Sequence, residues 1–395
     1  MKKFLFATAA MAIVSASAAY AGEVKIGIEL GFTGPIESLT PGMAAGAEAA
    51  IKEVSASGAF MNGSTVVPVR ADSTCIDSAA ATAAAERLIT SDKVAGIVGA
   101  DCSGVTGAIL QNVARPNGMV MISPSATSPA LSTAPDDGLF FRTAPSDARQ
   151  GQVAADILWG HGVKSIAITY TNNDYGKGLA DAIAENFKAK GGTVTINASH
   201  EDGKADYSAE VGALASAGGD VLVVAGYVDQ GGSGIVRAAL DTGAFDKFYF
   251  PDGMIGAKLE ENFGKEIDGS MGDNPGTDSP GAAILQKIGK EQGFDSTSPF
   301  VPESYDAAAL LMLAMQAANS TNPADYKGKV MEVANAPGVK IFPGELAKAL
   351  KLLKEGKDID YVGASAVELI GPGESKGNYR EIVFKNGKIT TVKYW

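Results

Sequence analysis

Past its first two dozen residues, this chain alternates short β-branched runs with longer Ala-rich amphipathic stretches. That alternation restricts its fold more than any other feature. Val24-Lys25-Ile26-Gly27-Ile28-Glu29-Leu30 reads as a first strand and residues 42–55 as a helix. A strand at 65–71, a helix at 77–91, a strand at 94–98, a helix at 104–115 and a strand at 119–122 follow. Strands joined by helical crossovers point to a parallel sheet covered on both faces. The rhythm restarts after Phe140-Phe141-Arg142-Thr143-Ala144-Pro145-Ser146-Asp147, with helices predicted at 147–160, 174–190, 206–217 and 230–242. Strands are predicted between them at 164–170, 192–197, 220–225 and 247–251. Two doubly wound units are the natural parse. Boundary signals fall near 143 and across Gly269–Pro280, whose Gly, Pro and Asp content suits a linker. Helices at 280–292, 303–319 and 344–355 come next. Asn386-Gly387 then sits between two alternating strands, as a hairpin turn does.

The N-terminus reads as an export signal. Lys2 and Lys3 precede an apolar run from Phe4 to Val14, and Ala19-Tyr20-Ala21 offers a cleavage site before Gly22. A run of about 11 residues falls short of the roughly 20 that a spanning helix needs. Residues 1–21 are therefore expected to be removed. An exported location favours pairing Cys75 with Cys102, the only two cysteines, although two buried thiols are the alternative.

Composition closes off several functions. At 395 residues and 46% hydrophobic, the chain has material for two cores. It carries 45 acidic and 33 basic side chains, so it lacks the basic footprint of a nucleic-acid or anionic-lipid binder. Two His and two Cys give little material for a zinc or haem site. No G-x-G-x-x-G after a strand, Walker motif, H-E-x-x-H or G-x-S-x-G occurs. His161, at a helix end, and His200, in a polar loop, lie in no recognisable partner motif. No catalytic residue, cofactor or metal is expected, and the pattern reads as that of a binder.

Binding signals sit beyond the carboxyl ends of strands, where α/β folds place ligands. Ser103, in Gly99-Ala100-Asp101-Cys102-Ser103-Gly104, opens a helix and could meet an anion or merely cap the helix. Ser123-Pro124-Ser125-Ala126-Thr127-Ser128-Pro129 supplies hydroxyls and backbone donors, as a carboxylate site or as a plain turn. Asp252, in Pro251-Asp252-Gly253, could anchor a cation or serve a tight turn. Tyr175, Tyr227 and Tyr305 occupy similar loop positions, where packing is the competing role.

Several ordered segments together resemble the periplasmic branched-chain amino-acid (Leu/Ile/Val) binding proteins of ABC importers. These are Phe32-Thr33-Gly34-Pro35, Cys102-Ser103, Ile122–Pro129, Phe141-Arg142-Thr143, Asn173–Ala180, Ala225-Gly226-Tyr227, Pro251-Asp252-Gly253 and Tyr305-Asp306-Ala307-Ala308. The resemblance implies an α/β fold of two Rossmann-like lobes joined by a three-strand hinge, the type I periplasmic binding fold. Lobe one would take 24–143 and 272–373, and lobe two 144–271 and 374–395. It assigns a ligand α-carboxylate to Ser103, Ser125, Ala126 and Thr127, and an α-ammonium to Asp252 helped by Tyr227. It places Tyr175 and Tyr305 in the cleft and makes Cys75–Cys102 a disulfide. It further implies a monomer that carries a small amino acid to an inner-membrane ABC permease and binds no nucleic acid. The chain departs from the family pattern at Asp252, where Glu is usual, at aliphatic Leu39 and in Tyr227-Val228-Asp229-Gln230-Gly231-Gly232. These departures leave the ligand's side chain open. A non-amino-acid solute such as an amide, urea or small carboxylate, or a sensing role, is the alternative.

Overall fold

A computed structural model describes residues 22–395; the export signal read over 1–21 lies outside them. The chain begins with β1 (Glu23–Leu30), β2 (Thr65–Asp72), β3 (Ile97–Gly99), β4 (Met121–Ser123) and β5 (Phe140–Pro145). It crosses into β6 (Ser165–Thr171), β7 (Thr193–His200), β8 (Val221–Ala225), β9 (Phe248–Phe250) and β10 (Met271–Pro275). It then returns through helices Pro280–Gln292 and Val301–Ala318 and the small parallel pair β11 (Val339–Ile341) and β12 (Ile359–Tyr361). The chain closes with β13 (Leu369–Ile370), β14 (Glu374–Ser375), β15 (Tyr379–Lys385) and β16 (Lys388–Tyr394).

Two seven-stranded sheets result, ordered β13-β14-β5-β4-β3-β1-β2 and β16-β15-β10-β9-β8-β6-β7. In each sheet the first five strands in sequence pair in parallel in the doubly wound order 2-1-3-4-5. Both sheets therefore reverse winding beside their first strand, and the loops after these strands form the natural crevice. Helix Thr40–Ala56 shows why the crossovers fold: Pro41 presets its first turn, and Met43, Ala44, Ala47, Ala50, Ile51 and Val54 bury one stripe at helical spacing.

Three crossovers join the lobes, after β5, β10 and β14. They fall a few residues beyond the expected boundaries, because β5 runs on to Pro145, Met271–Pro275 pairs within the second sheet and Glu374–Ser375 within the first. The expected linker across 269–280 is thus partly a strand. Its glycine content has a steric cause: a Cβ on Gly272 would stand 2.2 Å from the Phe250 carbonyl oxygen. In the terminal hairpin, Asn386 and Gly387 both take left-handed φ values of 56° and 74°, as a type I′ turn requires.

Candidate functional site

In lobe one, β3 ends at Gly99 and the chain turns through Cys102, which is disulfide-bonded to Cys75. Ser103 then opens helix Ser103–Ile109, and its Oγ accepts from Ser128 N at 3.0 Å. That bond uses an acceptor and leaves the hydroxyl proton free to donate. After β4, Ser123 Oγ accepts from Ala126 N at 2.9 Å and folds the 123–126 turn. Ser125 Oγ donates to Asp101 O at 3.0 Å.

In lobe two, Asn173 Oδ1 accepts from Gly176 N at 2.9 Å and starts the helix that carries Tyr175. The Tyr175 hydroxyl donates to Asp252 Oδ1 at 2.6 Å, and Gly253 N donates to the same oxygen at 2.7 Å. Tyr227, in the loop after β8, stacks on Tyr175 with centroids 5.3 Å apart and planes at 17°. Its hydroxyl accepts from Asn173 Nδ2 at 3.3 Å and keeps its own proton for another acceptor.

These two halves face each other across one narrow cleft. Lobe one contributes Ile36, Leu39, Asp101, Cys102, Ser103, Ser125 and Phe300; lobe two contributes Tyr175, Tyr227, Asp252 and Gly253. Five of the expected site residues therefore line a single space. Ala126 and Thr127 continue the Ser125 loop and are buried, without themselves lining that space. Tyr305 requires a correction. It lies inside helix Val301–Ala318, buried on nearly every face, and its hydroxyl donates to Glu53 within lobe one. Such a helix turns Tyr305 into the core. The wall position falls instead to Phe300, just before the helix, which no local motif singled out. Ile36 and Asp101 were likewise unassigned, although each adjoins a segment that carried the resemblance.

The lining contains two carboxylates and no Lys or Arg. Asp101 is occupied structurally, accepting from Gly31 N at 2.6 Å and Ser73 Oγ at 2.9 Å. Asp252 keeps capacity on Oδ2, which the Gln150 amide also approaches at 3.2 Å in the orientation that satisfies both its ends. Burial pushes the Asp252 carboxyl up to about 6, while the Tyr175, Gly253 and Gln150 hydrogen bonds pull it back. Behind it, burial raises Asp273 to about 8, and burial together with the nearby Asp252 charge raises Asp147 well above the usual range. Asp252, a buried carboxylate on a wall without Lys or Arg, favours a positively charged guest.

Neither histidine enters this site. His161 Nε2 meets Glu381 Oε1 at 2.8 Å. His200 ends β7 rather than lying in a polar loop; it is buried, with Nδ1 against Thr169 Oγ1 at 2.8 Å, and burial lowers it to about 4. Among the described residues, no group of three or more His, Cys, Asp or Glu has the geometry to hold a metal. No helix among them is long and apolar enough to cross a membrane.

A family model described as "Periplasmic binding protein" matches residues 23–348. The chain belongs to this family. Within the periplasmic binding proteins its similarity runs to the Leu/Ile/Val branch. It is 31% identical over 339 residues to the Leu/Ile/Val-binding protein homolog 1 of Brucella melitensis, covering 84% of this chain and 89% of that protein. It is 29% identical over 319 residues to the leucine-specific-binding protein of Salmonella typhimurium, covering 80% and 85%. Among solved structures, the leucine binding protein LivK of Thermotoga maritima superposes with a TM-score of 0.79 at 22% identity, covering 94% of this chain and 98% of that one. A solute binding protein from R. palustris in complex with 4-hydroxybenzoate superposes with a TM-score of 0.76 at 18% identity, covering 94% and 97%. At these identities the structures show the shared fold. Members of this family are solute-binding proteins of ABC transporters.

Proposed function

We propose that this chain captures a small amino acid between its lobes in the periplasm and delivers it, as a monomer, to a membrane permease. Export would use residues 1–21 as the signal. One observation carries the reading: Asp252 of lobe two lines the same cleft as Ser103 and Ser125 of lobe one. A zwitterion leaving water loses hydration at both ends, so each charge needs a fixed partner. Neutral hydroxyl and amide donors of lobe one would take the carboxylate, with Asp252 taking the ammonium. Tyr175 orients Asp252 through Oδ1 and leaves Oδ2 for the guest. Ile36, Leu39 and Phe300 offer an apolar wall to a modest side chain. Because the guest touches both lobes, it favours the closed arrangement, the shape a permease can distinguish from the open one.

A thermal-shift screen of the processed protein against amino acids, small amides and carboxylates tests this reading. A guest at 100 times its Kd adds about 2.7 kcal/mol of stability. Aliphatic L-amino acids are expected to raise the melting temperature. A response to benzoate-type acids or amides, with none to amino acids, would overturn the assignment.

A further inference from the structure

Arg142 sits on β5, only 1% exposed, and its guanidinium bonds only to the 126–132 segment and to a crossover strand. Nη1 donates to Ala126 O at 3.0 Å and Ser128 O at 2.9 Å. Nη2 donates to Ser132 Oγ at 2.7 Å and Glu374 Oε2 at 2.5 Å. Glu374 is the register partner of Arg142 on β14, and the backbone reinforces the pairing through Arg142 N to Gly373 O at 2.9 Å. Ser132 Oγ adds a bond of 2.6 Å to the same Glu374 oxygen. One guanidinium therefore ties both ends of the 126–132 segment to the strand where the chain last leaves lobe one.

The consequence follows from peptide geometry. A trans peptide is planar, so a carbonyl and the N–H that follows it point to opposite sides. With the Ala126 carbonyl drawn onto Arg142, the Thr127 N–H points away from the guanidinium. Asp147 N holds Thr127 O at 2.9 Å, and Ser103 Oγ holds Ser128 N at 3.0 Å, so the neighbouring peptides are fixed as well. Among the described residues, the Thr127 N–H meets no protein acceptor, and the buried Thr127 Oγ1 has no partner. The Thr127 N–H thus stands unused two residues along the chain from Ser125, which lines the cleft, while the Thr127 hydroxyl lies towards the Asp147 carboxyl.

We propose that Arg142, anchored by Glu374, is a positioning residue that holds the Ala126–Ser128 backbone in the orientation offering the Thr127 N–H to the ligand carboxylate. This inference rests on the amino-acid reading of the site. The planar fork of Arg suits the role, because it reaches two carbonyls with one nitrogen and the hydroxyl and carboxylate with the other. A lysine ammonium cannot reproduce that spread.

The test compares wild type, Arg142→Lys and Glu374→Gln by calorimetry with L-leucine and L-leucinamide, together with hydrogen exchange of the 123–132 segment in the ligand-free proteins. Arg142→Lys is expected to narrow the preference for L-leucine over L-leucinamide by about tenfold, the scale of one hydrogen bond to a charged group. Exchange at 125–128 is expected to quicken, with Glu374→Gln moving both readouts the same way by less. Equal losses for both ligands, or unchanged exchange in both variants, would overturn the positioning role. Should wild type bind neither ligand, the leucine-type reading of the site fails while the exchange data still decide whether Arg142 holds the loop. Glu374→Gln preserves side-chain size and keeps the test open if Arg142→Lys does not fold.

Discussion

In the proposed site, Asp252 is the carboxylate on which amino-acid binding turns. It is buried, aimed by Tyr175 and Gly253, and has no cation of its own on the cavity wall. Asp252→Asn is expected to weaken amino-acid binding by about 3–5 kcal/mol, because it leaves a buried ammonium unpaired. Ser103→Ala is expected to cost less, about 1–3 kcal/mol, since neighbouring donors remain; calorimetry of the two variants checks the ranking. The raised Asp252 carboxyl, at about 6, also gives binding a pH dependence. Below that value the proton must leave before an ammonium is paired, so affinity should fall by up to about tenfold per pH unit. Proton release measured in two buffers of different ionisation enthalpy checks it. Ser103, Asp252 and Tyr175 were legible because each follows a strand end with a compact motif. Tyr305 was not, because the helix bearing it is buried on nearly every side and its inward direction leaves no mark in local spacing.

The loops after β3 and β4 depend on staples as much as on sequence. Cys102 immediately precedes Ser103, so its bond to Cys75 fixes the approach to the first hydroxyl lining the cleft. Replacing both cysteines by Ala is expected to remove about 3–4 kcal/mol of folding stability in the chain-entropy model. Ligand affinity should fall with it, and chemical denaturation with and without ligand separates the two effects. Strands and helices were largely readable from periodicity, as the match of 147–160 and 280–292 to their helices shows. Met271–Pro275 was hidden for a physical reason. A strand that must pass against the Phe250 backbone needs Gly272, and its Gly-Asp-Asn-Pro composition imitates a linker.

Across the whole molecule, several carboxyls are buried with raised affinity for protons. Burial pushes Glu29, Asp273 and Glu303 each to about 8. The folded protein then binds more protons than the unfolded chain from about pH 4 upward, so stability declines as pH rises towards 8 and levels off above it. The denaturation midpoint of the ligand-free protein should therefore be lower at pH 8.5 than at pH 6. Direct contacts also join the lobes outside the cavity. Ser38 N donates to Asp229 Oδ2 at 2.8 Å, and Asp229 N donates to Pro35 O at 3.1 Å. The atypical 227–232 segment thus supplies a closing contact, a role that alternation of strands and helices could not reveal. What the whole arrangement claims is that both ends of a zwitterion are held at once, one by each lobe. Calorimetric titration with L-leucine, L-leucinamide and 4-methylpentanoate tests this most directly. The expected result is binding of L-leucine with a loss of at least about 3 kcal/mol for either analogue lacking a charge; 4-methylpentanoate binding as tightly as L-leucine would contradict it.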